Sequence, residues 1–323
     1  MENILENVTE RIRGKGRSIV FPEAVDERIL IAASQLSASG ILQPILIGEP
    51  GEIEAKARQA GVDISTCKIL DPANYDQFDE MVAEFVRLRK GKATEESARE
   101  ILKSVNYFGT MLVQMGEADG LVSGATHSTA DTVRPAFQII KTKPGIQKTS
   151  GAFIMVREEE AYVFADCAIN IEPDSQALAE IAIKSAETAE VFGIDPRVAM
   201  LSFSTKGSAH SEVTERIEEA LAIAREKDPA LVIDGELQFD AAYIPEVAEL
   251  KAPNSAIQGN ATVFVFPTLD AGNIAYKITQ RLGKFTALGP ILQGLNKPVN
   301  DLSRGCSADD VYKIAVITAA QAD

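Results

Sequence analysis

Apolar positions along the first seventy residues follow two alternating rhythms. Short, near-continuous runs in RSIVFPE, QPILIGE and CKILD read as strands. Between them, DERILIAASQLSASG and EIEAKARQAG place apolar residues at helical spacing, the first ending at a Gly. Strands of this kind alternating with helices predict an α/β fold with a parallel sheet covered on both faces. A polar helical stretch, DQFDEMVAEFVRLRKGKATEESAREILKS, follows without an evident strand.

From residue 119 onward one pattern recurs: an apolar strand enters a short loop rich in Gly, Ser and Thr, and a helix begins at once. ADGLVSGATHSTADTVRPAFQII, RVAMLSFSTKGSAHSEVTERIEEALAIA and ATVFVFPTLDAGNIAYKITQRL are three cases. TALGPILQGLNKPVNDLSRGCSADDVYKIAVITAAQ makes a fourth with a longer loop, and SGAFIMVREEEAYVFADCAINI predicts a hairpin turning at REEE. Helix N-termini expose unpaired N–H groups and the positive end of the helix dipole, so such loops attract anions. In open α/β sheets ligands gather at the carboxyl ends of strands, where these loops lie. The same residues are also ordinary turn and N-cap residues.

Length and charge narrow the picture. A chain of 323 residues is long enough for two domains. The formal net charge of −15 argues against nucleic acid or an anionic membrane as a partner, so an anionic ligand needs a local cluster of Arg and Lys. Three cysteines far apart, Cys67, Cys167 and Cys306, fit a reducing compartment rather than a disulfide framework. With no signal pattern at the N-terminus and no apolar run near membrane-span length, the expected address is cytoplasmic.

Several chemistries are disfavoured. Only two histidines exist, His127 and His210, and HSTAD offers His127 and Asp131 at i, i+4 without an evident third metal ligand. GLVSG does not match the G-x-S-x-G elbow. RGKGRS precedes a strand where a dinucleotide fingerprint would follow one, and no G-x-x-x-x-G-K-[ST] occurs.

At SGATHSTADTVRPAFQIIKTKPG the sequence resembles the phosphate acetyltransferase (phosphotransacetylase) family, within the phosphate acetyl/butyryltransferases. The likeness continues through MLSFSTKGSA, VIDGELQFDAA and FPTLDAGNIAYKITQRL to GPILQGLNKPVNDLSRGC, in family order from about residue 17 to the C-terminus. ATVFVFPTLDAGN departs from the family pattern at Thr262, Thr268 and Asp270, which bears on fine substrate preference.

The resemblance implies two α/β domains with an interdomain cleft, in an isocitrate dehydrogenase-like architecture. Its domains would be residues 1–144 plus 293–323, completed by the C-terminal helix, and residues 145–292. It implies the reaction acetyl-CoA + phosphate ⇌ acetyl phosphate + CoA, without metal or cofactor, CoA being a substrate. The implied partners are these small molecules and a second copy in a homodimer, with no nucleic acid and no membrane. The CoA thiol, whose ordinary pKa is roughly 8.5, needs a base, the tetrahedral oxyanion needs donors, and the leaving phosphate needs cations.

By resemblance Asp310 is the base, while Ser303 and Arg304 orient the acyl group and stabilise charge. Arg134 resembles a phosphate-binding arginine and Arg89 another ligand-contacting one, with Arg87 a competing alignment for Arg89. Ser128 and Thr129, at the start of the Arg134 helix, are candidates to donate to the acyl phosphate. Lys206 and Ser208, in STKGSAH with His210, are candidates to hold CoA phosphates, and a loop that only caps its helix would read the same. Ser307-Ala308-Asp309-Asp310 also satisfies a capping box, a role compatible with catalysis. Cys306, without a neighbouring histidine, reads as a packed thiol. Phosphate butyryltransferase and a non-catalytic acyl-CoA or acyl-phosphate sensor are the rival functions.

Overall fold

The computed structural model describes residues 2–322. The chain divides into two compact units, one running Glu6–Lys143 and resuming at Leu295, the other Pro144–Gly294 together with the residues before Glu6. In chain order the first stretch holds α1 (Glu2–Ile12), β1 (Ser18–Phe21), α2 (Glu27–Ala38), β2 (Gln43–Ile47), α3 (Pro50–Ala60), β3 (Lys68–Leu70), α4 (Phe78–Arg89), α5 (Glu95–Ile101), α6 (Val105–Met115), β4 (Gly120–Ser123) and α7 (Thr129–Ile139). The middle stretch holds β5 (Ser150–Arg157), β6 (Glu160–Ala165), α8 (Ser175–Val191), β7 (Val198–Leu201), α9 (Glu212–Lys227), β8 (Ile233–Leu237), α10 (Phe239–Tyr243), α11 (Pro245–Lys251), β9 (Val263–Val265), α12 (Leu269–Arg281) and β10 (Thr286–Gln293). The chain then supplies β11 (Val299–Asp301) and α13 (Ala308–Ala320) to the first unit.

The first unit is built on a parallel five-stranded sheet in the order β11-β4-β1-β2-β3. All four residues of β4 and Ile19, Val20 and Phe21 of β1 are buried, as strands covered on both faces require. The last helix, α13, is apolar nearly all round and packs against α2 and β4. From β1 the chain winds to β2 and β3 on one side, then to β4 and β11 on the other. The direction reverses between β1 and β4, and in open α/β sheets ligands collect at the carboxyl ends of strands at such a point.

The second unit carries a six-stranded sheet, β10-β5-β6-β9-β7-β8. The expected hairpin is present as antiparallel β5 and β6, β10 pairs antiparallel with β5, and the remaining pairs are parallel. The fourth expected strand–loop–helix repeat does not form as one unit. TALGPILQ and VND are two strands of different sheets, β10 beside β5 and β11 beside β4. The link between them is pinned at Asn296, whose side-chain amide donates to the carbonyls of Ile140 and Thr142. No helix among the described residues is long and apolar enough to cross a membrane.

Candidate active site

At the β1/β4 reversal the loop from Gly124 to His127 does aim its backbone N–H groups at an anion, but the anion is the protein's own. The carboxylate of Glu23, just past β1 and 3% exposed, accepts from the N–H groups of Gly124, Ala125, Thr126 and His127 at 2.7–2.9 Å. Thr126 Oγ1 and His127 Nδ1 complete the set, each at 2.9 Å. Burial by itself would raise the Glu23 pKa, yet the His127 and Thr126 hydrogen bonds outweigh it and hold the carboxyl below its ordinary value. His127 is thereby tied to Glu23, and Asp131, its candidate metal-ligand partner, is occupied in capping α7 with Ser128.

Gly124 makes the next approach possible. Its φ is +115°, and a Cβ there would sit 2.5 Å from Asp301 Oδ1 and 2.6 Å from the Leu302 nitrogen. The Leu302 N–H donates to the Ser123 carbonyl at 2.7 Å, locking the end of β11 beside β4. Asp301, 3% exposed, accepts from Thr129 Oγ1 through Oδ2 at 2.7 Å. Its Oδ1 is buried with Thr132 and the Leu302 N–H nearby, but has no hydrogen bond of ordinary geometry among the described residues. Burial foremost, with repulsion from Glu23, pushes the Asp301 pKa up to about 6.

Beyond Asp301 the chain turns outward. Ser303 and Arg304 are exposed, and the turn is closed by the Cys306 N–H donating to the Ser303 carbonyl at 2.9 Å. The capping box at Ser307 is present: Asp310 Oδ2 accepts from the Ser307 N–H and Oγ, both at 2.9 Å. Asp310 Oδ1 has no hydrogen-bond partner among the described residues, so capping leaves one carboxylate oxygen available. Burial raises the Cys306 thiol pKa despite Arg28, which keeps it a thiol rather than a nucleophilic thiolate.

Arg134 lies on α7 immediately before Pro135. Proline lacks an N–H, so the Asp131 carbonyl loses its helical donor, and Asn106 Nδ2 on α6 takes that place at 3.2 Å. Arg134 and Arg89, the last residue of α4, both act on Tyr107 of α6. Burial raises the Tyr107 pKa while the charges of Arg134 and Arg89 oppose the rise. Arg87 instead chelates Glu84 through Nε and Nη2 at 2.6 and 2.7 Å. Among the described residues Arg89, Arg134 and Arg304 make no ion pair. The two hydroxyls expected to serve the ligand are engaged internally: Ser128 Oγ donates to Asp131 at 2.6 Å and Thr129 Oγ1 to Asp301.

The second unit repeats the loop chemistry with a different outcome. In STKGSAH, Glu236 of β8 accepts from Ser204 Oγ at 2.7 Å and the Gly207 N–H at 2.9 Å. Ser208 Oγ bonds with Ser204 Oγ and accepts from the Thr205 N–H, both at 3.1 Å. Lys206 Nζ donates to buried Asp234 at 2.5 Å and to the Gly235 carbonyl at 2.7 Å. Lys206 and Ser208 are thus engaged within their own unit. Glu23, Asp301 and Tyr107 escaped sequence reasoning. The one available signal was an acid at the carboxyl end of an apolar strand, as in VFPE.

Parallel strands reversing direction between β1 and β4, with the loop after β4 closed on the Glu23 carboxylate, define an α/β protein. Residues 3–319 match the family described as Phosphate acetyl/butaryl transferase. A phosphate acetyltransferase of Bacillus subtilis (strain 168) is 64% identical over 322 residues, covering 100% of both chains. The solved structure of a phosphotransacetylase from Streptococcus pyogenes is 58% identical, covers 100% of this chain and 98% of its own, and superposes with a TM-score of 0.98. A branched-chain phosphotransacylase from Enterococcus faecalis V583 shares the fold at 21% identity and a TM-score of 0.70, covering 95% of this chain and 99% of its own. The chain belongs to the phosphate acetyl/butaryl transferase family.

Proposed function

We infer that the chain is a phosphate acetyltransferase, catalysing acetyl-CoA + phosphate ⇌ acetyl phosphate + CoA. The observation that carries this is full-length identity of 64% to a relative bearing that name. Phosphate-dependent release of CoA from acetyl-CoA by the purified protein tests it. Turnover of acetyl-CoA well above butyryl-CoA is expected; the reverse order, or no turnover, would overturn it.

The geometry supports direct attack of a CoA thiolate on the acyl carbonyl. Asp310 Oδ1 takes the thiol proton while Oδ2 keeps its cap. Ser303 and Arg304, exposed on their turn, face the acyl group and its developing oxyanion. The phosphate groups fall to Arg134 and Arg89, whose planar forks have no carboxylate to satisfy within the described residues. Ser128 and Thr129 lie at the start of the Arg134 helix and reach the acyl phosphate by exchanging an internal hydrogen bond for one to the ligand. Lys206 and Ser208 contact CoA only if their internal bonds are similarly exchanged. The scheme calls on no resident cofactor, because the thioester or acyl phosphate already carries an activated acyl group.

A homodimer is the proposed assembly. Ile274, Ile278 and Leu282 recur at i, i+4 and i+8 along α12 and its end, and all three are exposed, Leu282 by 80%. Such a stripe suits a second copy. Mass by sedimentation should be twice the chain's and fall on Ile278→Glu; an unchanged monomer mass in the parent would discard the assembly. Three free cysteines suit the reducing cytoplasm.

A further inference from the structure

Ser303 and Arg304 stand exposed; Arg304 makes no ion pair among the described residues, and Ser303 Oγ accepts from the Gly305 N–H of the same turn at 3.3 Å, so the backbone of the turn sets where both side chains sit. That backbone is held from outside by Arg28, one residue into α2. Arg28 Nη1 donates to the carbonyls of Arg304 at 2.8 Å and Cys306 at 3.1 Å. Nη2 donates to the Ala125 carbonyl at 2.8 Å, and Nε and Nη2 grip the two oxygens of Asp26, each at 2.9 Å. A guanidinium has five N–H donors, and all five meet an acceptor here. One side chain therefore ties the loops that follow β1, β4 and β11, the three adjacent strands at the sheet's reversal.

We propose that Arg28 is a positioning residue for acyl transfer, fixing the Ser303–Arg304 turn by holding the Arg304 and Cys306 carbonyls against the Ala125 loop. The proposal rests on the acetyltransferase reading for what the turn does, but not for how the turn is held. The fork is essential. A lysine keeps the charge, yet its three donors radiate from one nitrogen and cannot span five acceptor atoms on three loops. Asp26 sets the angle of the fork and is itself the N-cap of α2, accepting from the Arg28 N–H. Misplacement of a catalytic group by about 1 Å costs on the order of 10²-fold in rate.

The test compares Arg28→Ala, Arg28→Lys and Asp26→Asn with the parent. Asn caps a helix about as well as Asp, so Asp26→Asn loosens the fork without unseating α2. For Arg28→Ala and Arg28→Lys, kcat should fall by roughly 10–10²-fold, with the KM for acetyl-CoA within about threefold. For Asp26→Asn the fall should be smaller. Guanidinium ion should restore part of the Arg28→Ala turnover, whereas ammonium at equal ionic strength should not; a merely structural loss would not discriminate between the two cations. A second readout is free of activity. Cys306 is buried beside Arg28, with its sulfur 3.7 Å from Nη1, so releasing the turn should speed its alkylation, read by peptide mass. Unchanged Cys306 protection in folded Arg28→Ala overturns the anchor. Released Cys306 with turnover within threefold of the parent overturns the link to catalysis. If the parent itself fails to turn over acetyl-CoA, the acetyltransferase reading falls, and the alkylation rates still decide the anchor.

Discussion

Two loops of this protein look alike in sequence and differ in what surrounds them. SGATHS after β4 and STKGSAH after β7 are both small-residue loops at the carboxyl end of a parallel strand. Each closes on a buried carboxylate, Glu23 in one and Glu236 in the other. On α7 and on the turn after β11, Arg134 and Arg304 have no ion pair among the described residues. Around the second, Lys206 and Arg225 both bind Asp234. Loop composition thus marks where the protein holds an anion of its own, and the two loops differ in whether the cations near them are already paired.

The largest expected effect lies on the first side. Asp310→Asn keeps a cap acceptor but cannot take a thiol proton, so kcat should drop by roughly 10²–10⁴ with little change in melting temperature. A folded variant with turnover within a few-fold of the parent would move the base elsewhere. Next, Arg134→Lys and Arg304→Lys keep charge but lose the fork, and about 10–10²-fold in kcat/KM should go with it. Parental kinetics in both would erase the distinction between the loops.

The buried aspartates on the two sides should respond oppositely to pH. Asp301 titrates near pH 6 in the fold against an ordinary 3.8, so the folded state binds its proton more tightly than the unfolded chain. Its contribution is complete below pH ~4 and is lost as pH rises through about 6. Asp301→Asn should therefore stabilise the protein at pH 8, by on the order of 3 kcal/mol, with the gain fading toward pH 4. Asp234 runs the other way. Burial would raise its pKa, but Lys206 and Ser255 lower it, so its contribution is present above the ordinary value and lost as pH falls through the folded one. Thermal melts of Asp301→Asn from pH 4 to 8 check the first sign, and a gain that grows toward acid would refute it.

The smallest effect should come from Lys206→Met. Asp234 would keep Arg225, so a loss of roughly 1–2 kcal/mol in stability is expected, below that of fully stripping a buried charge. The kcat/KM for acetyl-CoA should stay within about threefold. A tenfold rise in the KM for CoA, with stability intact, would show that the second loop serves ligand after all.

The sequence by itself determined the elements whose pattern is local. Runs such as SIVF, QPILI and GLVS must be strands buried on both faces, and Ser307 through Asp310 must cap a helix, because spacing and hydrogen-bond chemistry leave little else. It also named Arg134 and Arg304, which make no ion pair among the described residues, since TVRPAF and NDLSRGC carry the family likeness. Only tertiary structure decided the rest. β8 escapes a hydrophobic reading because Asp234 and Glu236 sit inside it, Asp234 paired with Lys206 and Arg225 and Glu236 accepting from Ser204 Oγ, residues on other elements. TALGPILQ and VND belong to different sheets because of where β5 and β4 offer free edges. Likewise Glu23, Asp301 and Arg28 became part of the site only when β1, β4 and β11 were laid side by side. Buried Glu23 and Asp301 take their meaning from partners more than a hundred residues away, and no local periodicity encodes that distance.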